Sequence, residues 1–276
     1  MDFHKICSGN HPAIERAFHD LCAVAGDPDR ASLQAFVEFV ARESRVGINM
    51  RPMVLLEFLG TGKLLNIHEW AAQVSAHGGL SAEEALRQKL KSYYDRRVAF
   101  DGAFEDGHKF RYGALNGGGL GTHRYGEFCS IFQHAQVLSF CLVGYLKSDS
   151  LNAYMGAGVV LDEEKLSTEC VSDTCKHFLA GVKLAEAAKS LPADRWPGAL
   201  CNSDDYIEII LLGDLEPDHL EAVRIAKGDF DLYWEYAYNE FREKLTELDR
   251  YRVDAFAQID ERLNAVGVPW EPVNDA

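Results

Sequence analysis

An α+β fold is predicted by the order of periodicities along this chain of 276 residues. Three observations carry the expectation. Residues 12–44 and the stretch from 216 onward place apolar side chains at helical spacing, whereas residues 98–165 are rich in glycine, aromatics and β-formers. The segment "DDYIEIILLGDL" (204–215) is a continuous apolar, β-branched run of strand length. Helices, then strands, then helices favour α+β over an alternating βαβ order.

Taken in order, "PAIERAFHDLCAVAGDPDRASLQAFVEFVARES" (12–44) reads as two helices broken at "GDPD". Ile14, Phe18, Leu21 and Cys22 share one face of the first; Leu33, Phe36, Val37 and Val40 share one of the second, with Asp29 or Ser32 as its cap. "RVGINM" (45–50) is strand-like and is stopped by Arg51-Pro52, after which a helix over 53–59 and a turn at "GTGK" are expected. Ser81 followed by Glu84 forms a capping box for a helix over 81–97. Strands are expected near 110–115, 124–132, 136–145 and 156–161, and a helix in the later part of 168–191. From 216 to the end, "EPDHLEAVRIAKG" and the aromatic, charged stretch after it read as helices. The division expected is a helical segment 1–44, a core 45–215 and a helical segment 216–276.

A formal charge of −15 and a pI near 5.1 argue against a general nucleic-acid binder, because phosphates are repelled. No window of 18 uninterrupted apolar residues occurs, so no membrane span is expected. The start "MDFHKICSGNHPAIER" lacks the charged and apolar regions of a signal peptide. The expected location is cytoplasmic, or that of an effector delivered by a route without a cleavable signal. Seven cysteines, irregularly spaced, include only Cys170-x4-Cys175 near His177, with no second ligand pair for zinc. Reduced cysteines acting as small hydrophobes, and no metal, are the expectation.

Few segments carry chemistry. "GGGLG" (117–121) fits neither phosphate-binding glycine motif and reads as a connection between strands. Two RYG tripeptides flank it, at 111–113 and 124–126. Glu208 lies among isoleucines and leucines, where a carboxylate is costly unless paired, facing a cleft, or at solvent on an edge strand. Arg51 stands directly after a strand, where its planar fork suits a diphosphate or carboxylate, although isolated arginines are commonly solvated. Histidines 68, 77, 108, 123 and 134 lack metal-ligand spacing, and no G-x-S-x-G elbow is present.

In order, "RVGINMRP", "LLEFLGTGKLLNIHEW", "HGGLSAEEA", "AFDGAFEDGHKFRYGALN", "HRYGEFC" and "DYIEIILLGDL" resemble the bacterial domain-of-unknown-function 3626 family. Its members show an NFHP-containing strand, a YGALN segment, RFGSC and a later YIEAQVHG strand. The likeness covers about residues 45–215. That family is similar to the ADP-ribosyltransferase fold, so the resemblance implies a split β-core flanked by helices and NAD as substrate. It implies that Glu208 hydrogen-bonds the ribose 2′-OH and stabilises an oxocarbenium-like transition state. Arg51 would hold the NAD ribose or phosphate, Tyr112 would line the cofactor site, and Ser130 or Tyr125 would support the nicotinamide. Arg51 stands where the family has His, and "IILLG" where it has Q-x-H-G after the glutamate. The activity implied is cleavage of the nicotinamide–ribose bond with transfer of ADP-ribose to an unidentified acceptor, a protein among the candidates. An NAD glycohydrolase, or a non-enzymatic interaction or immunity protein on a degenerate core, are the alternatives.

Overall fold

The computed structural model describes residues 1–238 and 245–274. The first 44 residues form helices α1 (Phe3–Gly9), α2 (His11–Val24) and α3 (Asp27–Glu43), the break falling at the predicted GDPD. Strand β1 (Arg45–Met50) is stopped by Pro52, which opens α4 (Pro52–Thr61). Helices α5 (Ile67–Ala76) and α6 (Ala82–Leu90) each start with a capping box, Asn66 with Glu69 and Ser81 with Glu84. The predicted helix over 81–97 is broken at Lys91, whose φ is 51°, so α7 (Tyr94–Gly102) is separate.

Next come β2 (Phe110–Asn116), β3 (Phe128–Phe132), α8 (His134–Phe140) and β4 (Cys141–Leu146). The expected strand over 136–145 is therefore half helix, and 156–161 supplies only an isolated bridge, Met155 with Leu161. Short helices α9 (Ser150–Ala153) and α10 (Glu163–Glu169) lead to β5 (Cys170–Ser172), then α11 (Lys176–Lys183), α12 (Ala185–Ser190) and α13 (Trp196–Leu200). After β6 (Glu208–Gly213) the chain forms β7 (Leu220–Ala226), α14 (Lys227–Tyr238), α15 (Glu247–Val266) and β8 (Trp270–Val273). Part of the expected C-terminal helix, 239–244, lies outside the described residues. The segment 220–226 is a strand, not a helix: its short apolar run contains Val223 and Ile225 and pairs with β3.

All eight strands join one sheet in the order β5-β4-β6-β2-β1-β3-β7-β8, antiparallel except for the β7–β8 pair. The boundary expected at 215 thus falls inside this sheet. The α+β class holds, with helices on both faces. Register assigns the faces, because side chains alternate along a strand. Val46, Ile48, Met50, Leu115, Ser130, Phe132, Ile209 and Leu211 face one way, and most of them enter the main core with side chains of α2, α3, α4, α11 and α15. Gly47, Asn49, Tyr112, Ala114, Glu208 and Ile210 face the other way, where Phe3, Cys7, Phe100 and Tyr154 build a second core against Ile210.

The two central strands part. β1 pairs with β2 only from Arg45↔Asn116 to Gly47↔Ala114, while β1 continues on β3 to Met50↔Phe128 and β2 continues on β6 to Phe110↔Leu212. Tyr112, on the second face, is only half-buried although β2 is a central strand, so this face reaches solvent beside the split. The glycine-rich connection crosses the same face under side-chain control. Asn49 donates to the carbonyls of Leu120 and Gly126 (both 2.9 Å) and accepts from the Thr122 N–H (2.7 Å). Asn116 donates to Gly119 O and accepts from the Gly118 N–H.

Both RYG glycines are places of close approach to β1. A Cβ at Gly113 would lie 2.9 Å from Gly47 O, and one at Gly126 would lie 2.2 Å from the carbonyl carbon of Met50. Backbone cannot retreat as a flexible side chain does. Gly126→Ala is expected to lower stability by about 1–3 kcal/mol or more, as overpacking does. Chemical denaturation measures this, with Gly198→Ala, where a Cβ meets nothing within 4 Å, as the control.

Candidate functional site

Glu208 opens β6 between Ala114 of β2 and Leu146 of β4, so it sits in mid-sheet and not on an edge strand. It is 4 % exposed. Oε2 accepts the Ser150 N–H at 2.7 Å, and the Ser150 hydroxyl also bonds the carboxylate. That N–H is available because Asp149 caps α9, accepting from Leu151 N (3.1 Å) and Asn152 N (2.8 Å). Burial pushes the Glu208 carboxyl up to about 7; Arg97 and the Ser150 hydrogen bond pull against that rise, and Asp149 adds to it.

Arg97 of α7 is itself buried. Its guanidinium lies 3.6 Å from the centre of the Tyr112 ring, donates to Asp101 Oδ1 at 3.3 Å and reaches Ser150 Oγ at 3.4 Å. Burial disfavours its charge, but Tyr112, Asp101 and Glu208 outweigh that and raise its pKa. Asp101 also accepts from the Tyr112 hydroxyl, and its Oδ2 lies 2.7 Å from His68 Nε2. The i, i+4 spacing of Arg97 and Asp101 on one helix places both under the sheet face that carries Tyr112 and Glu208.

A second group adjoins this one. The Tyr206 hydroxyl donates to Asp149 Oδ2 at 2.6 Å, leaving its oxygen to accept from Tyr125 at 3.2 Å. The two rings stand 6.4 Å apart at 86°. Arg124 donates to the Tyr125 hydroxyl at 2.9 Å and lies over that ring at 4.8 Å. Burial, then Glu208 and Asp149, raise the Tyr206 pKa. Asp149 and Ser150, adjacent in sequence, therefore link the aromatic group to the carboxylate.

Of the residues expected from sequence, Glu208 and Tyr112 gather around Arg97, and Tyr125 joins through Tyr206. Arg51 caps α4 one residue beyond β1, exposed and without an ion pair among the described residues. Ser130 is a correction. It is fully buried, pairs with Ile48 and Val223, and sets its hydroxyl 3.6 Å from Met50 Sδ on the opposite face of the sheet. A one-residue difference in register relative to Gly47, Ala114 and Glu208 puts it in the core. Sequence reading missed Arg97, Asp101, Asp149, Ser150 and Tyr206. The alternation Tyr206-x-Glu208 and the i, i+4 pair Arg97/Asp101 were the available signals, and both are common in unrelated proteins.

A cavity of about 920 Å³ lies at the far end of β2 and β6 and shares only His68 with this network. Arg111, the first residue of the first RYG, holds it together. Its guanidinium donates to Leu64 O, Gly213 O, Glu69 and Asp214 over 2.6–3.0 Å. Among the described residues, Glu216, Asp218 and His219 have metal-like proximity, within 4.8 Å, but His219 Nδ1 already accepts the Glu216 N–H. No protein-family model matches the chain, and no curated protein matches it.

Because folding lifts the Glu208 pKa above the ordinary glutamate value, ionising it opposes folding. The penalty is absent below about pH 4.5, grows as pH rises toward 7 and is constant above. Glu208→Gln is therefore expected to match wild-type stability at pH 4.5 and exceed it at pH 8.5, by about 3 kcal/mol at ~1.4 kcal/mol per pH unit. Urea denaturation at the two pH values checks the sign.

Proposed function

We propose that this chain is an NAD-consuming ADP-ribosyl-transfer protein in which Glu208 is the acting carboxylate. The observation that carries the reading is Glu208 itself. It is a mid-sheet carboxylate on the face that carries Tyr112, beside the β1–β2 split, poised near neutral pH and held by the N–H and hydroxyl of Ser150. In that arrangement Oε1 accepts a ribose hydroxyl and the carboxylate charge faces the positive charge that develops as the nicotinamide bond breaks. The half-buried Tyr112 and the Tyr125–Tyr206 pair supply flat surfaces for the nicotinamide and ribose. Arg51 and Arg124, both exposed, supply cations for the diphosphate. The motif order from "RVGINMRP" through "YGALN" to "YIE" supports the same reading and its kinship with the 3626 family.

Incubation with NAD labelled in the nicotinamide and adenine parts tests it. Wild type is expected to release nicotinamide, and Glu208→Gln to lose on the order of 10²–10³-fold in kcat. No NAD binding by calorimetry at millimolar concentration, or unchanged turnover in the variant, sinks the proposal. Free ADP-ribose without labelled acceptor identifies the glycohydrolase form.

A second, non-catalytic reading draws on the C-terminal helices. Leu232, Trp234, Tyr238, Leu248 and Tyr251 are 45–58 % exposed there, a surface suited to a protein partner, and the net charge of −15 suits a basic one. If partner binding in size-exclusion chromatography is lost in Trp234→Ala/Tyr251→Ala while NAD has no effect, this reading prevails.

A further inference from the structure

Glu208 lies under groups of both signs. Arg97 and Asp101 approach from α7, Asp149 from the turn before α9, Tyr112 from β2, and Tyr206 from the segment before β6. Among these, Arg97 is the cation that acts on the carboxylate, and its position is built and not incidental. It is 8 % exposed, stacked at 3.6 Å on Tyr112, and bonded to Asp101 and Ser150 Oγ. It forms no direct ion pair with Glu208 within 4 Å; the link runs through Ser150, whose hydroxyl meets Arg97 and whose N–H meets Glu208. A guanidinium is suited to this task because its rigid fork serves several partners at once and cannot lose its proton.

We propose that Arg97 is the positioning residue of this site, holding Glu208 in its carboxylate form and fixing the Asp149–Ser150 turn that presents an N–H to it. The role follows from the geometry. Without Arg97, Glu208 loses that cation and keeps Asp149, Tyr112 and Tyr206 beside it, in a desolvated place where the neutral acid is favoured. Ser150 Oγ also loses its tether, so the N–H contact loosens. The catalytic consequence rests on the reading of Glu208 as the acting carboxylate; the electrostatic one does not.

The test is titration of the carboxyl carbon of Glu208 by ¹³C NMR in glutamate-labelled protein, the resonance assigned by its loss in Glu208→Gln. Wild type is expected to titrate near pH 7. Arg97→Gln is expected to move the midpoint up by about one pH unit or more, and Arg97→Lys, which keeps the charge, to stay nearer wild type. An unmoved midpoint in Arg97→Gln, or equal shifts in Gln and Lys variants, overturns the proposal. Should Arg97→Gln fail to fold, Arg97→Gln/Glu208→Gln decides. Rescue of folding by removing the facing carboxylate supports the role, and no rescue overturns it.

A merely structural residue would not move a pH profile. With NAD, Arg97→Gln is expected to lose about tenfold in kcat at pH 7 and to recover toward pH 9, with KM unchanged. If wild type shows no NAD turnover at all, the functional reading fails, while the carboxyl titration still decides the role of Arg97.

Discussion

Glu208 begins a central strand and is only 4 % exposed, so its carboxylate is served chiefly from within the protein. Desolvating an ionised carboxylate costs several kcal/mol after relaxation. The surrounding residues answer that cost with the N–H and hydroxyl of Ser150 and one guanidinium, and only partly, since the carboxyl still favours its proton up to about neutral pH. Arg97 in turn is buried and needs partners, which are Asp101, Ser150 and the face of Tyr112. Asp101 then draws in His68, and Asp149 draws in Tyr206 and Tyr125. A single desolvated charge thus propagates into a connected set of polar side chains from α5, α7, β2 and the segments before α9 and β6.

The two RYG tripeptides serve this arrangement in different ways. In the first, Arg111 ties the α4–α5 connection to the end of β6, Tyr112 stacks on Arg97, and Gly113 lets β2 lie close to β1. In the second, Arg124 and Tyr125 reach toward Tyr206, and Gly126 allows the chain to cross the end of β1. Similar tripeptides therefore arise from a shared requirement, close approach to β1, and not from a repeated unit. The glycines between them form a connection pinned by Asn49 and Asn116.

Elements set by local forces were legible in the chain. The two helices within 12–44, the break at GDPD, the Ser81–Glu84 capping box and the strand at "YIEIILL" follow from periodicity and side-chain-to-backbone hydrogen bonds within a few residues. The errors fell where neighbours in space decide. Residues 220–226 read as helix from the chain alone and become a strand because β3 is present to pair with them, and 81–97 divides at Lys91 without a glycine or proline to announce it.

By itself the sequence determined an α+β chain with no run of 18 apolar residues and a glutamate set within an apolar strand, and it left open whether that glutamate is buried or at solvent. Tertiary structure alone decided which face each side chain takes, because a shift of one residue in register exchanges one face of the sheet for the other. That is why Ser130 ends in the core and Glu208 on the open face, and why Arg97, about 110 residues away in sequence, becomes the partner that no spacing rule could have named.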